Sequence, residues 1–219
     1  MDSSRLAELL QPFLAGTEPA PELLHHLQLY LDLLLRWNAR VNLTAVRDPE
    51  QIVTRHFGES LFAAHVLKRR IENPATLADV GSGAGFPGIP IKLLMPEIEL
   101  TLIESQNKKA TFLREVVRTL QLGEVQVFCG RAEQWNGEAE IVTLRAVEQF
   151  ERALPVAADL VAEKGLLGLL IGADQLSAAH QLVTAGWQWF DPVAVPASTS
   201  RIIAVAHRAA TEHLAKRNS

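Results

Sequence analysis

The residues with the clearest capacity for chemistry form a glycine-rich segment, Asp79-Val80-Gly81-Ser82-Gly83-Ala84-Gly85-Phe86-Pro87-Gly88. It follows a short apolar run that predicts a strand, and it opens a predicted helix. Glycines at such a turn let the chain reverse sharply and bring backbone N–H groups close to a ligand. Pro87 suits the first turn of the helix that follows. The segment therefore predicts a ligand-binding loop at the end of a strand.

The spacing of the glycines narrows the class of ligand. The dinucleotide fingerprint is G-x-G-x-x-G, and its third glycine would stand where this chain has Phe86. The observed pattern is G-x-G-x-G, with Asp79 two residues before it. An acidic neighbour would oppose a pyrophosphate but suits a cationic aminocarboxypropyl sulfonium group. The pattern therefore favours S-adenosylmethionine, with Asp79, Gly81, Gly83 and Gly85 as predicted cofactor contacts.

Two further landmarks stand at the ends of the next predicted strands. Glu104 ends the apolar run Thr101-Leu102-Ile103 and lies 23 residues after Gly81. A carboxylate at a strand end can accept both ribose hydroxyls of a nucleoside. The segment Gly130-Arg131-Ala132-Glu133 follows the third strand, where a backbone N–H and a side chain can reach the adenine edge. The alternative is that the glycines serve only the conformation of a turn. We favour a nucleoside site, because candidate ligand-binding residues follow each of three successive predicted strands.

The chain shows no obvious catalytic dyad. Its single cysteine, Cys129, excludes an internal disulfide and a cysteine zinc site, and we interpret it as core packing rather than as a nucleophile. The seven histidines have no metal-ligand spacing, so no metal is expected. His56 either lies at the substrate site or makes a packing contact between helices and sheet. Asn42 either caps a turn or bonds a base edge.

From Thr76 onward, short apolar runs alternate with longer segments of helical spacing. The runs predict strands at 76–80, 99–104, 125–129, 140–144, 165–171, 188–195 and 201–207. The spacing between them predicts helices at 87–95, 107–121, 149–162 and 174–185. Alternating strands and helices predict an α/β fold with a doubly wound, mostly parallel seven-stranded sheet, covered on both faces. The last two strands are consecutive, so we expect an antiparallel hairpin at one edge.

The beginning of the chain has helical spacing only. Its first apolar stripe starts after Pro19 and Pro21 and consists of Leu23, Leu27, Tyr30, Leu31, Leu34 and Leu35. A second helical stretch follows Asp48-Pro49, after a turn at 41–49. Because neither helix can bury its stripe alone, both should pack against the sheet. We therefore divide the chain into an N-terminal helical arm (1–72), a cofactor-binding domain (73–208) and a C-terminal tail (209–219) that is a short helix or frayed.

Length and composition exclude several classes of protein. The 219 residues are 48% hydrophobic and 21% charged, which is a globular composition with room for one substantial domain. The chain has no apolar run of about 18 residues, so a membrane span is not expected. The polar N-terminus does not resemble a signal peptide. A cytoplasmic location is the expectation.

Charge is unevenly distributed, although the formal net charge is −4. Residues 36–70 hold seven basic and three acidic side chains, and residues 201–219 hold four basic and one acidic. Residues 133–163 hold seven acidic and two basic ones. Either these charges are ordinary solvated surface, or the basic residues form one face of the molecule that binds a polyanion. In the second interpretation the RNA-binding residues are Arg36, Arg40, Arg47, Arg55 and Arg201.

Several longer motifs together resemble one family, over about residues 20 to 207. They are Trp37-Asn38-x-x-Val41-Asn42-Leu43-Thr44, Arg47-Asp48-Pro49, Arg55-His56-x-x-x-Ser60, Asp79 to Pro90 with its Gly-Phe-Pro-Gly-Ile-Pro ending, and Arg145-Ala146. The chain resembles the bacterial 16S ribosomal RNA guanine-N7 methyltransferases, the glucose-inhibited division protein B family. The resemblance implies a class I, Rossmann-like methyltransferase that uses S-adenosylmethionine to methylate N7 of one guanine in small-subunit rRNA. Its partner would be 16S rRNA or the small ribosomal subunit particle, and we expect a monomer.

The resemblance also implies roles for individual residues. Cofactor contacts fall on Gly81, Phe86, Ala132, Glu133 and Arg145. Candidate catalytic residues are Arg145, His56, Asn42 and Ser60. Guanine N7 has an in-plane lone pair that is free at neutral pH, so alignment and electrostatics can suffice without a general base. Arg145 either pairs with an acid such as Glu133 or donates to guanine O6 and so orients the base.

This chain departs from the family pattern at three places. It has Leu144-Arg145-Ala146 where the family usually has Ser-Arg-Ala, and Glu59-Ser60 where Asp-Ser is frequent. The family commonly ends its fifth strand with Leu-Lys-Gly, where this chain has Leu170-Ile171-Gly172. Either Arg145 carries more of that lysine's role, or a basic residue elsewhere substitutes for it.

Two other functions compete with this interpretation. One is a small-molecule methyltransferase on the same fold, against which the basic segment 36–70 argues. The other is a non-catalytic rRNA-binding assembly factor that keeps a cofactor pocket. Turnover on rRNA separates both from an rRNA methyltransferase.

Overall fold

A single mixed sheet forms the centre of the molecule in the computed structural model, which describes residues 1–73, 76–147 and 149–210. Its strands are β1 (Thr76–Val80), β2 (Glu99–Glu104), β3 (Val125–Cys129), β4 (Ala139–Arg145), β5 (Val161–Gly172), β6 (Trp187–Trp189), β7 (Val193–Ala194) and β8 (Arg201–Arg208). Their order is β3-β2-β1-β4-β5-β8-β6, and β7 also pairs with β8. Strands β1 to β5 run parallel, and β8 is antiparallel to β5, β6 and β7.

The sheet reverses its winding between β1 and β4. From β1 the chain progresses outward through β2 to β3, then returns to the other side of β1 to form β4 and β5. Open α/β sheets bind ligands in the crevice outside the carboxyl ends of the strands at such a point. The reversal therefore places a site beyond Val80, Glu104 and Arg145, which end β1, β2 and β4.

Helices cover both faces of the sheet. They are α1 (Ser3–Leu10), α2 (Pro21–Asn38), α3 (Pro49–Ile52), α4 (Glu59–Lys68), α5 (Gly88–Leu94), α6 (Asn107–Thr119), α7 (Phe150–Asp159) and α8 (Leu176–Leu182). A π-helical segment, Val53–Gly58, connects α3 directly to α4. The expected doubly wound, mostly parallel architecture is confirmed, and each predicted helix is present with bounds shifted by a few residues.

The last part of the sheet differs from the expectation in detail. The strand predicted over 188–195 is two short strands, β6 and β7, so the described residues form a sheet of eight strands rather than seven. Asp191-Pro192 lies between them, and proline has no N–H to donate to the strand ladder. Strand β5 also begins earlier than predicted, at Val161. The predicted structure of the tail falls mostly on residues 211–219, outside the described residues.

The N-terminal helical arm shares its core with the sheet. Leu27, Tyr30 and Phe57 from the arm are fully buried in the same hydrophobic cluster as Leu100 and Phe112 from the sheet and its covering helix. Gly58 lets the π segment approach the short 3-10 turn after α1 closely, because a Cβ there would come within 2.6 Å of the Phe13 ring. The arm is thus continuous in packing with the sheet, and the division at residue 72 stays a prediction from sequence pattern.

Two capping interactions position the loop between α2 and α3. The Asp48 carboxylate accepts from the Gln51 N–H at 2.8 Å, so α3 begins at Pro49 with an N-cap. The buried Asn38 side chain accepts from the N–H groups of Leu43 and Thr44 and donates to the Thr44 carbonyl. These bonds fix residues 41–48 against the end of α2, near the carboxyl edge of the sheet.

Among the residues described, no helix is long and apolar enough to cross a membrane.

Candidate active site

A cavity of about 1350 Å³ opens at the carboxyl edge of the sheet. One end is formed by the glycine loop and the turns after β2 and β3, including Gly81, Glu104 and Ala132. The other end is formed by residues 42–47 and the π segment of the arm, together with Arg145 and Arg201. Pockets for one small molecule usually measure about 300–1,000 Å³. The cavity therefore has room for a nucleoside cofactor and a further base.

The glycine loop needs glycine at three positions for different reasons. Gly81, Gly83 and Gly85 have φ of 68°, 56° and 89°, a region that side chains disfavour. A Cβ at Gly81 would come within 2.9 Å of Val147, whereas a Cβ at Gly83 would meet only the Gly81 carbonyl at 3.7 Å. Gly83 therefore leaves a space at the cavity wall that a ligand can approach.

Glu104 lies where a ribose-binding carboxylate is expected. It is 5% exposed, and its two oxygens accept from the N–H groups of Gly83 at 2.9 Å and Gln106 at 2.7 Å. These bonds join the glycine loop to the end of β2. A carboxylate oxygen can accept more than one hydrogen bond, so Glu104 can hold the loop and still accept from a ligand hydroxyl.

Asp79 does not face the cavity as the sequence suggested. It is fully buried beneath the loop, where Thr143 Oγ1 donates to its Oδ1 at 2.8 Å and the Gly88 N–H donates to Oδ2 at 3.2 Å. Burial raises the pKa of this carboxyl to about 6. Asp79 thus ties β1 to β4 and to the start of α5, and in this structure it does not touch the surface that a cationic ligand would contact.

Gly85 also lies away from the cavity, against the arm. A Cβ there would collide with the Tyr30 hydroxyl and come within 2.6 Å of Ile89. Tyr30 is fully buried on α2, and its hydroxyl donates to the Ala84 carbonyl in the loop. Its ring stacks on Phe86 at 5.4 Å between centroids. Gly85 therefore permits close packing between arm and loop rather than contact with the ligand.

The turn after β3 completes the end of the cavity that the glycine loop forms. Ala132 and Glu133 both line the cavity, as expected for contacts with an adenine edge. Cys129 is partly exposed, and its thiol donates to Asn107 Oδ1 at 2.9 Å. The interpretation of Cys129 as core packing is therefore wrong, because β3 is the edge strand of the sheet and is partly exposed along its whole length.

Arg145 is the centre of a buried polar cluster between sheet and arm. It is 9% exposed, and its Nη2 donates to the Arg55 carbonyl, to His56 Nδ1 at 3.0 Å and to Glu59 Oε2 at 3.3 Å. Its acidic partner is therefore Glu59 on α4 rather than Glu133. Burial lowers the pKa of Arg145 to about 10, so the guanidinium stays charged at neutral pH.

Glu59 is shared with a second guanidinium. Arg201 Nη2 lies 2.8 Å from the same Glu59 oxygen that contacts Arg145. Arg201 begins β8 and pairs with Gly172, the residue after Ile171. A cation is therefore present next to the strand end where the family commonly has lysine. Two guanidiniums on one carboxylate leave this end of the cavity with a net positive charge.

His56 is neutral and has a defined tautomer. Burial, followed by the charges of Arg145, Arg55 and Arg201, lowers the pKa of its imidazole to about 3. Because Arg145 can only donate, Nδ1 must accept, and the proton is on Nε2. Nε2 lies 2.7 Å from Thr44 Oγ1, and the ring stacks on Phe86 at 5.0 Å. His56 lines the cavity but is not arranged to take up a proton.

The other two candidate catalytic residues have different positions. Ser60 is fully buried, and its hydroxyl donates to the His56 carbonyl at 2.6 Å, so it supports the π segment and does not line the cavity. Asn42 is exposed on the cavity rim, and its Oδ1 accepts from Arg47 at 3.3 Å. The turn-capping role considered for Asn42 is performed by Asn38.

The five basic residues expected to bind RNA lie in two groups. Arg47, Arg55 and Arg201 line the arm end of the cavity. Arg36 and Arg40 are exposed at the end of α2 and in the turn after it, and they do not line the cavity. Lys109 and Arg152 also line the cavity and were not singled out from the sequence.

Sequence reasoning missed the residues that act through tertiary partners. Tyr30 was assigned only to an apolar stripe, and Glu59 was noted only as a departure from Asp. Thr143 and Asn38 carried no assigned role. Tyr30 is the only tyrosine in the chain. Its position within an apolar stripe was a signal, because a buried tyrosine hydroxyl usually has a hydrogen-bond partner.

The family model described as rRNA small subunit methyltransferase G matches residues 23–188 of this chain. A relative from Xanthomonas campestris, named ribosomal RNA small subunit methyltransferase G, is 38% identical over 187 residues, covering 82% of this chain and 84% of the relative. A relative of the same name from Stenotrophomonas maltophilia is 39% identical over 181 residues, covering 81% of each chain.

Solved structures share the fold at low sequence identity. A ribosomal protein methylase from Lactobacillus delbrueckii has a TM-score of 0.58 at 16% identity, over 69% of this chain and 79% of its own. An MtNAS variant in complex with S-adenosylmethionine has a TM-score of 0.58 at 13% identity, over 84% of this chain and 75% of its own. The class I methyltransferase architecture expected from the sequence is confirmed.

Proposed function

Because this chain belongs to the rRNA small subunit methyltransferase G family, we propose that it transfers a methyl group from S-adenosylmethionine to N7 of one guanine in small-subunit (16S) ribosomal RNA. The observation that carries this proposal is the two-ended cavity. One end has the glycine loop and strand-end carboxylate of a nucleoside site, and the other end has donor side chains beside a neutral histidine.

The residues at the first end fit S-adenosylmethionine. The space at Gly83 admits a ligand against the loop backbone, and the Glu104 carboxylate at the end of β2 can accept from ribose hydroxyls. Gly81, Ala132 and Glu133 line the same end, and Phe86 lines the cavity where its ring stacks on His56; these four residues complete the proposed set of contacts. When bound, S-adenosylmethionine supplies an electrophilic methyl group on a positively charged sulfur.

The residues at the second end suit a nucleophile that needs no deprotonation. His56 is neutral, and its Nδ1 lone pair is engaged by Arg145, so it cannot serve as a general base. This agrees with guanine N7, whose lone pair is free at neutral pH. We infer that Arg145, His56 and Asn42 position the base, and that catalysis rests on alignment and on the electrostatics of the charged groups around it.

Support for an RNA substrate comes from the rim of the cavity. Arg47 and Arg55 lie on it, and Arg36 and Arg40 are exposed at the end of α2 and in the turn after it. Guanidinium groups bind phosphate oxygens through planar, charge-assisted hydrogen bonds. We infer that these residues grip the backbone around the target guanine, together with Arg201.

A methyl-transfer assay with tritiated S-adenosylmethionine tests the proposal. We expect label to enter 16S rRNA or small subunits from cells that lack this gene, and not rRNA from cells that have it. A deproteinised metabolite extract, incubated in parallel, should stay unlabelled. Label in the metabolites alone would identify a small-molecule methyltransferase. Binding to rRNA without any transfer would identify a non-catalytic assembly factor.

A further inference from the structure

The hydrogen bonds around His56 determine in which direction the Thr44 hydroxyl can donate a hydrogen bond. Arg145 Nη2 donates to His56 Nδ1, so His56 Nε2 carries the ring proton and donates to Thr44 Oγ1. The Val46 N–H donates to the same Oγ1 at 3.1 Å. A hydroxyl oxygen has two lone pairs, and both are now occupied. The Thr44 hydroxyl must therefore act as a donor toward a further group.

Within the described part of the chain, no group accepts a hydrogen bond from the Thr44 hydroxyl. Thr44 lines the cavity, and Asn38 fixes its backbone through bonds to both its N–H and its carbonyl. Arg47, Arg55 and Arg145 line the same end of the cavity, and a guanidinium has donors only. The cavity thus presents a fixed, donor-only hydroxyl among donor-only cations.

Such a set of donors suits the acceptor edge of a purine. Guanine presents two acceptors on its major-groove edge, N7 and O6, whereas adenine presents N7 and an amino donor. With N7 facing the methyl group, O6 is the acceptor left for the protein. We propose that the Thr44 hydroxyl donates a hydrogen bond to O6 of the target guanine and makes the site selective for guanine over adenine. This assignment rests on the proposed function.

Two variants isolate the hydroxyl. Thr44→Val keeps the shape of the side chain and removes its oxygen, and Thr44→Ser keeps the oxygen. The substrates are two 16S rRNAs built by ligation, with either guanosine or 2-aminopurine riboside at the methylated position. 2-Aminopurine keeps N7 and lacks O6. Single-turnover methyl transfer is measured at saturating S-adenosylmethionine, alongside calorimetric binding of S-adenosylhomocysteine.

We expect Thr44→Val to be about tenfold slower than wild type on the guanosine RNA, a loss of about 1.4 kcal/mol. Thr44→Ser should stay within about threefold of wild type. On the 2-aminopurine RNA all three proteins should react at the same rate within about twofold, and all should bind S-adenosylhomocysteine equally well.

Different failures have different meanings. An equal slowing of Thr44→Val on both RNAs would show that the hydroxyl serves the fold or a phosphate, and it would overturn the proposal. Weakened S-adenosylhomocysteine binding would overturn it in favour of a cofactor contact. The wild-type rate on the guanosine RNA reports on the proposed function itself. If wild type transfers no methyl group to the guanosine RNA, either free or assembled into small subunits, the guanine substrate is wrong and the O6 contact is overturned with it.

Discussion

At the scale of single residues, Glu104 connects the glycine loop to the proposed ribose site. Its carboxylate accepts from Gly83 and Gln106. Glu104→Ala should therefore lose ligand bonds worth about 1.5–3 kcal/mol for a charged acceptor, roughly a ten- to hundredfold rise in Kd for S-adenosylhomocysteine. Glu99→Ala is the matched control, because Glu99 is exposed at the opposite end of the same strand. Equal affinity for the two variants in calorimetry would remove Glu104 from the site.

Asp79 and His56 give the folded chain opposite responses to pH. Burial raises the pKa of Asp79 from 3.8 to about 6, so between these values the folded chain binds a proton that the unfolded chain does not. The stability contributed by Asp79 therefore rises as pH falls from 6 to 4. Burial and then Arg145 lower the pKa of His56 from 6.5 to about 3, so its contribution is lost as pH falls below 6.5.

Replacing Asp79 should leave the pH dependence of stability that His56 contributes visible on its own. Asp79→Asn abolishes only the carboxyl's contribution, so we expect its free energy of unfolding to fall more steeply than that of wild type between pH 6 and 4. Urea titrations at several pH values measure both slopes. If the two proteins respond to pH in parallel, Asp79 does not gain a proton on folding.

At the scale of elements, α2 supports the glycine loop through Tyr30. The Tyr30 hydroxyl donates to the Ala84 carbonyl, and its ring stacks on Phe86. Tyr30→Phe keeps the ring and removes the bond, so we expect about a fivefold weaker affinity for S-adenosylhomocysteine with little change in turnover at saturating cofactor. Calorimetry and initial rates measure the two quantities.

The single tyrosine of the chain also allows a direct probe of this contact. Protein labelled with 3-fluorotyrosine should give one ¹⁹F resonance, which should shift when S-adenosylhomocysteine binds. A resonance that stays unchanged while calorimetry shows binding would mean that Tyr30 is only a packing residue.

Much of this arrangement follows from local sequence pattern. Apolar runs and helical spacing predicted the strands β1 to β4, and glycine spacing predicted the loop after β1. Both could be predicted because the spacing of apolar residues and of glycines is a property of a short stretch of chain. The direction of the Asp79 side chain was not predictable, since a carboxylate at that position can face either the ligand or Thr143. Glu59 as the partner of Arg145 was equally hidden, because the two residues are 86 positions apart. The break between β6 and β7 had a signal in Pro192 that the strand prediction did not use.

At the scale of the whole molecule, positive charge is found at both edges of the sheet. Arg47 lines the cavity, and Arg36 and Arg40 are exposed at the end of α2 and in the turn that precedes the cavity-lining residues 42–47, whereas Lys68 and Arg69 end the helix that leads into the amino end of β1. Only the first group is proposed to grip RNA. Changing Arg36, Arg40 and Arg47 to alanine should make the slope of log rRNA affinity against log salt concentration less steep by up to about 2, at roughly 0.7 per phosphate contact.

The matched control removes the same charge from the other edge. Lys68, Arg69 and Arg118 are all exposed, and Arg118 lies at the end of α6. Their triple alanine variant should keep the wild-type salt slope. Both variants should bind S-adenosylhomocysteine normally. Equal slopes for the two variants would mean that the charge on the cavity side is ordinary solvated surface.

The central claim is that this chain methylates N7 of one guanine in small-subunit rRNA. The most direct measurement is mass spectrometric mapping of modified guanines in 16S rRNA from cells with the gene, without it, and with it restored. We predict one 7-methylguanosine that is absent from the deletion strain and returns on complementation. An identical set of 7-methylguanosines in all three strains would contradict the account.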